Sequence, residues 1–375
     1  INANYAVTVI EGKLQITKKA VSIVTKTHTK VYDGTPLKGL DFGDTEFIGF
    51  VQNKFTATND PQLTNAGSTS NNIIYDVYDG DFKTTENYDI TYSYGKLEVT
   101  ARPLVITTGT SLDREYDGTP LTYTGGVTGD NLVGGHTLAA DESRKDEFAW
   151  VTEVLEEAKD NTVYYLVKDG EKDVTGNYAI EYVWGKINRT PRKIIITTGS
   201  AEKVYDGDTL YGDKVDGLTA DRLVDGHKVI VVPDTLVASI TDVGSAKNVL
   251  ECTVARGDGT DASHNYEITG YNYGDLKITP RPTTITTATA ERVYDGKPLS
   301  KPVAEANDLV KEHTLKAVTV EVSITDVGDI ENHYLFEVYD GERNVTGNYK
   351  IDYNYGRLKI TPRKINVELN PTPDT

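Results

Sequence analysis

Three histidines and one pair of aspartates are the side chains whose types and spacing could support chemistry. His136, His227 and His313 recur at comparable positions, but none has a second histidine or a cysteine nearby at zinc-ligand spacing. They are therefore predicted to be strand residues that follow a turn. Asp258 and Asp261 flank a glycine in "RGDGTDASHN" and form a calcium candidate that lacks the further carboxylates and the terminal glutamate of an EF-hand loop.

No set of reactive side chains predicts an enzyme. The sequence contains no Ser-His-Asp order, paired-carboxylate constellation, phosphate-binding loop or activated cysteine, and its single Cys252 cannot form an internal disulfide. A shared Lys–Asn cross-link would need a lysine before each "VYDG" or related motif. That position is Lys30, Arg114, Lys203 and Arg292, and arginine cannot form such an amide. We expect no catalytic residue and no cofactor apart from the calcium candidate.

Composition limits the partners of the chain. Its 375 residues include 39 basic and 57 acidic residues, a net charge of -18, which repels phosphate backbones and disfavours nucleic-acid binding. No stretch approaches eighteen apolar residues, so we expect no membrane insertion in this segment. The chain has no methionine and no signal-peptide pattern at its N-terminus, and it is interpreted as a piece of a longer protein.

The sequence repeats two motifs at intervals of about 83 to 90 residues, and a weaker third motif reads "TNAG" from Thr64 and "TDVG" from Thr241 and Thr325. The first motif is "YDG", in "KVYDGTPL" and three related copies. Its residues are Tyr32, Asp33, Gly34; Tyr116, Asp117, Gly118; Tyr205, Asp206, Gly207; and Tyr294, Asp295, Gly296. The second motif begins with "NY" and contains a glycine after a run of alternating residues. Its residues are Asn87, Tyr88, Gly95; Asn177, Tyr178, Gly185; Asn265, Tyr266, Gly274; and Asn348, Tyr349, Gly356.

The second motif is typical of a strand with a change of face. In the first copy Tyr88, Ile90 and Tyr92 alternate with polar residues, whereas Leu97 and Val99 after Gly95 lie on the opposite parity. Because glycine tolerates positive φ, the pattern predicts a β-bulge or tight turn at each such glycine. These positions are Gly12, Gly95, Gly185, Gly274 and Gly356.

The first motif is typical of a turn at the end of a strand. The aspartate accepts hydrogen bonds from the turn backbone, the glycine takes a left-handed conformation, and the tyrosine places a large ring at the edge of a core. Helical periodicity is weak throughout, and Asp141–Asp160 is the single candidate for a helix. The sequence therefore predicts an all-β protein.

The motifs divide the chain into a tandem array of four small β-domains, β-grasp-like or immunoglobulin-like sandwiches, that together form an elongated rod. The expected repeats are R1 (18–101), R2 (102–191), R3 (192–280) and R4 (281–362). Residues 1–17 are expected to be the C-terminal strands of a preceding repeat, and residues 363–375 the start of a following repeat or a linker. Short proline-bearing linkers and domains of ~85 residues give a rod on the order of 130–160 Å.

The ordered motifs, "VYDGTPL" followed by "NY.I.Y.YG.L.ITPRP", resemble the YDG/MBG-type repeats of large bacterial surface proteins and adhesins. The resemblance covers all four repeats. It implies small all-β stalk modules outside the cell, on a bacterial surface, in a chain anchored to the cell wall through a segment outside this sequence. It transfers no catalytic residues. R2 departs from the pattern at "TEVL", which begins at Thr152, and at Asn188, so local reshaping is expected there.

These features favour a structural stalk that projects a functional head from the cell wall, with neighbouring repeats of the same longer chain as its partners. One alternative is a set of repeats that bind host glycans, mucin or proteins by avidity, with exposed aromatic residues on one equivalent face of each repeat. A second alternative is self-assembly into an extracellular fibre or biofilm component through open ends of the array.

Overall fold

The computed structural model describes residues 4–318 and 321–369, and these residues form an all-β tandem array of small β-domains. Every strand pairing among the described residues lies within one of the repeats R1 to R4. No α-helix occurs in this part of the chain, so a layered arrangement of small sheets describes the repeats and a β-grasp with its packed helix does not.

The strands of R1 and R2 are short, as expected for a chain rich in turns. R1 contains β1 (Lys19–Val24), β2 (His28–Val31), β3 (Leu37–Lys38), β4 (Glu46–Ile48), β5 (Lys54–Ala57), β6 (Gln62–Leu63), β7 (Gly67–Ser70), β8 (Tyr75–Asp79), β9 (Phe82–Lys83), β10 (Tyr88–Ser93) and β11 (Lys96–Thr100). R2 contains β12 (Arg102–Thr107), β13 (Ser111–Glu115), β14 (Thr128–Asp130), β15 (His136–Ala140), β16 (Lys159–Asp160), β17 (Tyr165–Asp169), β18 (Lys172–Asp173), β19 (Tyr178–Val183) and β20 (Lys186–Thr190).

The strands of R3 and R4 follow the same order. R3 contains β21 (Arg192–Thr197), β22 (Ala201–Val204), β23 (Leu210–Tyr211), β24 (Thr219–Ala220), β25 (His227–Val231), β26 (Ser239–Ile240), β27 (Gly244–Lys247), β28 (Cys252–Arg256), β29 (Tyr266–Asn272) and β30 (Asp275–Thr279). R4 contains β31 (Arg281–Thr287), β32 (Ala290–Val293), β33 (Ala304–Ala306), β34 (Thr314–Ala317), β35 (Gly328–Glu331), β36 (Phe336–Asp340), β37 (Arg343–Asn344), β38 (Tyr349–Asn354) and β39 (Arg357–Thr361).

Short 3-10 helices fill some of the connections between these strands. They span Gly39–Phe42, Thr85–Asn87, Glu142–Glu147, Thr175–Asn177, Gly212–Lys214, Ser263–Asn265 and Thr346–Asn348. The weak helical pattern of Asp141–Asp160 therefore corresponds to a six-residue 3-10 helix, Glu142–Glu147, and the strand β16 at the end of the segment.

Two chain segments cross between two sheets side by side in every repeat. In R1, β1 pairs in parallel with β10 in the first sheet, and the same two segments continue as β2 and β11, which pair in parallel in the second sheet. The antiparallel partners β4 and β7 complete the two three-stranded sheets. The same orders recur as β14-β12-β19 with β13-β20-β16, β24-β21-β29 with β22-β30-β27, and β33-β31-β38 with β32-β39-β35.

The change of sheet explains the change of parity in the second motif. In R1 the second-sheet residues Leu97 and Val99 are fully buried, whereas the first-sheet strand β10 buries its alternate tyrosines and Ile90 only partly. A strand that passes from one sheet to another must turn its apolar side chains to a new core, and this requires a break in the two-residue period.

The glycine at each crossing is required because the two crossing segments leave no room for a Cβ atom. This corrects the expectation that the glycine is required for a positive φ. A Cβ on Gly95 would lie 2.2 Å from the backbone of Lys26, in the adjacent crossing segment. The same clash, at 2.2 to 2.4 Å from backbone atoms, occurs at Gly185, Gly274 and Gly356. None of these glycines has φ in the left-handed region. The two parallel segments approach so closely that no side chain fits between them.

A buried threonine and a buried asparagine hold each crossing together. In R1 the Thr25 hydroxyl donates to the carbonyl of Asn71 (2.7 Å) and accepts the N–H of Gly95 (3.0 Å). The Asn71 amide donates to the carbonyl of Lys26 (2.9 Å). Equivalent bonds join Thr108, Asn161 and Gly185; Thr198, Asn248 and Gly274; and Thr287, Asn332 and Gly356. These bonds satisfy backbone groups that the break between sheets would leave unpaired.

The segments outside the four repeats carry no strand in the described residues. Residues 4–17, expected to be strands of a preceding repeat, are exposed and unpaired in β-structure, and Gly12 has no neighbouring atom within 4 Å of a Cβ position. The four "NY" strands of R1 to R4, in contrast, each pair in parallel with a strand that lies about 70 residues earlier. Residues 363–369 are likewise without strand, and residues 1–3 and 370–375 lie outside the described part of the chain.

No helix among the described residues is long and apolar enough to cross a membrane.

Candidate inter-repeat interface

Each "YDG" motif forms a compact turn that a cation closes. Gly34 has a φ of 81°, and Asp33 accepts the N–H of Thr35 at 2.9 Å. The Lys30 ammonium donates to the Asp33 carboxylate (2.7 Å) and to the carbonyl of Thr35 (2.6 Å). Lys203 and Arg292 make the corresponding contacts in R3 and R4. In R1, R3 and R4 the residue two positions before the tyrosine is therefore a side-chain partner of the turn.

R2 closes its turn with a residue from the neighbouring strand. The Arg189 guanidinium is buried, contacts the Asp117 carboxylate at 2.9 Å and donates to the carbonyl of Thr119 at 2.7 Å. The adjacent Asn188 bonds both backbone groups of Leu155, at 3.0 and 2.8 Å. The departure of R2 at Asn188 thus ties an irregular loop to strand β20.

The closed turn stabilises the ionised form of its aspartate. The hydrogen bond from Lys30, opposed by partial burial and aided by the N–H of Thr35, lowers the pKa of Asp33 from 3.8 to about 2. Because the folded pKa lies below that of the unfolded chain, this carboxylate stabilises the fold fully above about pH 4. That contribution is lost as the pH falls from about 4 to 2.

We expect the Asp33 carboxyl carbon to titrate near pH 2 when followed by NMR in the full chain. In Lys30→Met its midpoint rises toward the ordinary aspartate value, since the main cause of the shift is removed. The pKa of Asp206, whose partner Lys203 is intact in that variant, serves as the internal control. An unchanged Asp33 midpoint in Lys30→Met would contradict this assignment.

The tyrosine of the motif enters the next repeat. Tyr32 of R1 is buried, and its ring packs edge-on against Tyr178 of R2, with ring centres 5.6 Å apart, and lies 6.2 Å from His136. The carbonyl of Tyr32 accepts a bond from Arg102, the first residue of β12, at 3.4 Å. The motif, predicted as a turn at the end of a strand, is therefore also half of a joint between R1 and R2.

The asparagine of the second motif supplies the polar half of this joint. Asn177 accepts the N–H of Ala66 in R1 (2.8 Å) and donates to the Asn65 side chain (3.2 Å). The Tyr178 hydroxyl, beside it, accepts the N–H of Val133 (3.2 Å) and lies 2.6 Å from Nδ1 of His136. The recurrent histidine therefore orients the tyrosine against which Tyr32 packs.

The joint between R3 and R4 has the same construction. Tyr205 packs edge-on against Tyr349 at 5.7 Å, and its carbonyl accepts from Arg281 at 3.3 Å. Asn348 accepts the N–H of Val243 (2.8 Å) and donates to the carboxylate of Asp242 (2.8 Å). This joint adds an ion pair that the first lacks, between Asp242 and the guanidinium of Arg343.

We call the two halves of the joint the tyrosine face and the asparagine face. The tyrosine face is Tyr32 with Asn65 and Ala66 in R1, and Tyr205 with Asp242 and Val243 in R3. The asparagine face is His136, Asn177 and Tyr178 in R2, and His313, Asn348 and Tyr349 in R4.

Apolar packing continues across both joints. Tyr32, Leu97 and Val99 of R1 belong to one buried cluster with Val174 and Tyr178 of R2. Tyr205 and Ile278 of R3 likewise share a cluster with residues of R4, namely Val338, Val345 and Tyr349. Removal from water raises the pKa of both motif tyrosines, Tyr32 and Tyr205. Burial of this kind is a feature of a packed interior more than of a flexible linker.

The tyrosine face of R4 and the asparagine face of R1 do not contact another repeat in this structure, and their exposure can be compared with that of the faces inside the two joints. Tyr294 of R4 is 39% exposed, against 2% for its counterpart Tyr205. Val327, which corresponds to Val243, is exposed as well. At the other end, Asn87 of R1 is exposed, whereas Asn177 and Asn348 are buried. The burial of these motif residues therefore depends on the neighbouring repeat.

The remaining candidates lie in turns or in the core. Tyr116, Asn265 and Tyr266 are buried, and the Tyr266 hydroxyl lies 2.8 Å from Nδ1 of His227. Asp258 and Asp261 each accept backbone and hydroxyl bonds from the residue two positions later. Among the described residues, no three acidic, histidine or cysteine side chains come together as a metal site.

Each repeat also carries a stacked aromatic pair that sequence analysis did not single out. The pairs are Tyr92–Tyr94, Tyr182–Trp184, Tyr271–Tyr273 and Tyr353–Tyr355, with ring centres 4.7 to 5.4 Å apart. The inner hydroxyl is a structural group in R1, R2 and R4, where Tyr92, Tyr182 and Tyr353 accept the N–H of Tyr75, Tyr165 and Phe336. Tyr94 and Tyr273 are the most exposed of the outer rings.

The comparisons with known proteins give no family. No family model matches the chain, and no curated protein matches it. Among solved structures, the first four cadherin domains of Drosophila N-cadherin align at 10% identity and a TM-score of 0.20, over 92% of this chain and all of that one. The eight N-terminal immunoglobulin domains of the Down Syndrome Cell Adhesion Molecule align at 11% identity and a TM-score of 0.18, over 90% of this chain and 54% of that one.

Proposed function

We propose that the chain is a structural spacer, a series of β-repeats that projects a functional head from a bacterial cell surface. The observation that carries this proposal is the use of the recurrent motif residues. Tyr32 and Asn177, and again Tyr205 and Asn348, form the joints between consecutive repeats. Because the recurrent residues fix one repeat against the next, we infer that the function depends on the position of each repeat relative to its neighbour.

The joint gives a spacer its stiffness. A flexible linker leaves two domains free to rotate, whereas an interface with a buried ring and paired backbone groups holds them in one orientation. The short connections add to this, since β11 ends at Thr100 and β12 begins at Arg102. The net charge of -18 opposes lateral association of such a chain.

Small-angle X-ray scattering of the full chain over a concentration series tests this function. We expect a concentration-independent maximum dimension on the order of 130–160 Å for four aligned domains. A compact particle of roughly 55 Å would contradict the spacer. Growth with concentration would favour a self-assembling fibre instead.

Small-angle X-ray scattering of a variant tests the stiffness of the joints. The double variant Tyr32→Ala, Tyr205→Ala loses both buried rings. We expect its scattering to give a broader distribution of molecular dimensions, while its strand content, measured by circular dichroism, is unchanged. The matched control is Tyr294→Ala, which removes the exposed counterpart. Equal distributions in all three proteins would show that the joints do not set the geometry.

A further inference from the structure

Trp150 of R2 is an aromatic side chain that the fold does not require. It is one of two tryptophans in the chain and is 56% exposed. The next residue, Val151, bridges to Leu121, and the corresponding bridges join Leu63, Ile240 and Ile324 to their partners in the other repeats. The residues that correspond to Trp150 are therefore Gln62, Ser239 and Ser323, all of them polar.

In R2 the 3-10 helix Glu142–Glu147 forms a wall beside Trp150, and R1 and R3 lack this helix. The 3-10 helix Glu142–Glu147 follows Asp141, whose side chain accepts the N–H of Ser143, and the buried Phe148 anchors its end. The corresponding stretches of R1 and R3, residues 58–61 and 232–238, contain no helix. The inserted segment and the exposed indole therefore occur together, in one repeat.

The wall and Trp150 border a surface cavity of about 380 Å³ that is open to solvent. Its lining consists of Pro120, Thr122, Lys145, Asp146, Phe148 and Trp150. The apolar part is the proline ring and the aromatic side chains, and the polar part is one hydroxyl, one ammonium and one carboxylate. A cavity of this size, apolar with a few polar groups, has the make-up of a small-molecule site.

We propose that this cavity binds a neutral saccharide, with one pyranose ring stacked on Trp150. A pyranose has an apolar C–H face that suits the electron-rich face of an indole, and hydroxyls around its edge that suit Thr122, Lys145 and Asp146. A proline-rich peptide would need a groove lined by several exposed aromatic rings, and Phe148 is buried. The strong negative charge of the chain disfavours acidic saccharides.

Because only one exposed ring contacts the saccharide, we expect weak binding, with a dissociation constant of roughly 1 mM. The Lys159 ammonium lies 5.9 Å from the centre of the indole ring and donates to the carbonyl of Trp150 at 3.5 Å. The saccharide site is independent of the spacer function, because none of its residues belongs to the tyrosine face or the asparagine face.

The test is titration of the full chain with neutral oligosaccharides of β-linked glucose, galactose and N-acetylhexosamine, followed by NMR shifts of the tryptophan indole N–H groups. We expect saturable shifts of the Trp150 signal with at least one of these probes. In Trp150→Ala the affinity, followed on the amide signals of Lys145 and Asp146, is expected to fall at least tenfold. Asp146→Asn, which keeps the ring, is expected to weaken binding less.

The controls separate the site from a general effect of an exposed ring. Ser239→Trp places a tryptophan at the corresponding position of R3, without the wall, and we expect no binding there. Unchanged thermal unfolding of Trp150→Ala verifies that the fold is intact, since the side chain is largely exposed. No shift with any probe at about ten times the expected dissociation constant, binding that survives Trp150→Ala, or a preference for proline-rich peptides would overturn the proposal.

Discussion

Replacing Tyr205 by alanine is expected to lower the free energy of unfolding of the R3–R4 pair by about 3–5 kcal/mol, the usual cost of truncating a buried aromatic side chain. The ring is 2% exposed and packs on Tyr349 and the apolar residues of R4. Its loss leaves a cavity between two repeats that are connected by only one residue outside the strands, Pro280. Denaturant unfolding, with hydrogen exchange to locate the change, measures the effect.

The matched control is Tyr294→Ala, in the same motif of R4. Because Tyr294 is 39% exposed and meets no further repeat in this structure, its removal is expected to cost less than about 1 kcal/mol. Hydrogen exchange in Tyr205→Ala should accelerate in both R3 and R4. Equal losses in the two variants would show that the tyrosine stabilises its own turn and contributes nothing to the joint.

A methyl group at Gly274 is expected to destabilise R3 by about 3 kcal/mol or more, since the added Cβ would lie 2.2 Å from the carbonyl oxygen of Gly199. The obstacle is backbone, so no side chain can rotate away from it. The crossing segments would have to separate, which breaks the bonds that Thr198 and Asn248 make there. Denaturant unfolding of Gly274→Ala measures the loss.

Gly270→Ala, in the same strand β29, is the control for this substitution. A Cβ there has no atom within 4 Å, and the backbone is not left-handed, so we expect an effect within about 1 kcal/mol of zero. If both variants were equally stable, close approach would not be the reason for the glycine, and the crossing would tolerate a side chain.

The sequence contains enough to predict the strands and their change of face. The alternation of Tyr88, Ile90 and Tyr92, interrupted at Gly95 and resumed on Leu97, reports directly which side chains meet a core. It does not report that two parallel segments cross together, because the partner of β10 lies about 70 residues earlier and has no matching glycine. The reason for the glycine was therefore wrong, since its φ is not positive.

The asparagines that bind the crossing segments recur in the sequence, and this recurrence could predict their role. Asn71, Asn161, Asn248 and Asn332 recur at intervals close to the repeat length, each shortly before a strand. A recurrent asparagine at the start of a buried strand indicates a side chain that pairs with backbone, since an unpaired amide would be costly there. These asparagines lie outside the "YDG" and "NY" motifs from which the repeats are predicted.

The joint itself could not be predicted from one repeat at a time. Tyr32 has the same neighbours in sequence as Tyr294, yet one is buried and the other partly exposed. The difference lies in the repeat that follows, and composition alone does not say that a turn tyrosine faces outward to a neighbour. Trp150 is similar, since the cavity beside it depends on a 3-10 helix, Glu142–Glu147, whose shape the weak helical pattern of the sequence does not specify.

The two joints have a consequence for how such a chain changes its length over generations. The tyrosine face follows the first strands of R1 and R3, the asparagine face precedes the last strands of R2 and R4, and the two described joints have the same construction. An in-frame deletion of R2 and R3 together would bring the tyrosine face of R1 against the asparagine face of R4. The number of repeats could therefore change by recombination while a joint of this construction is retained.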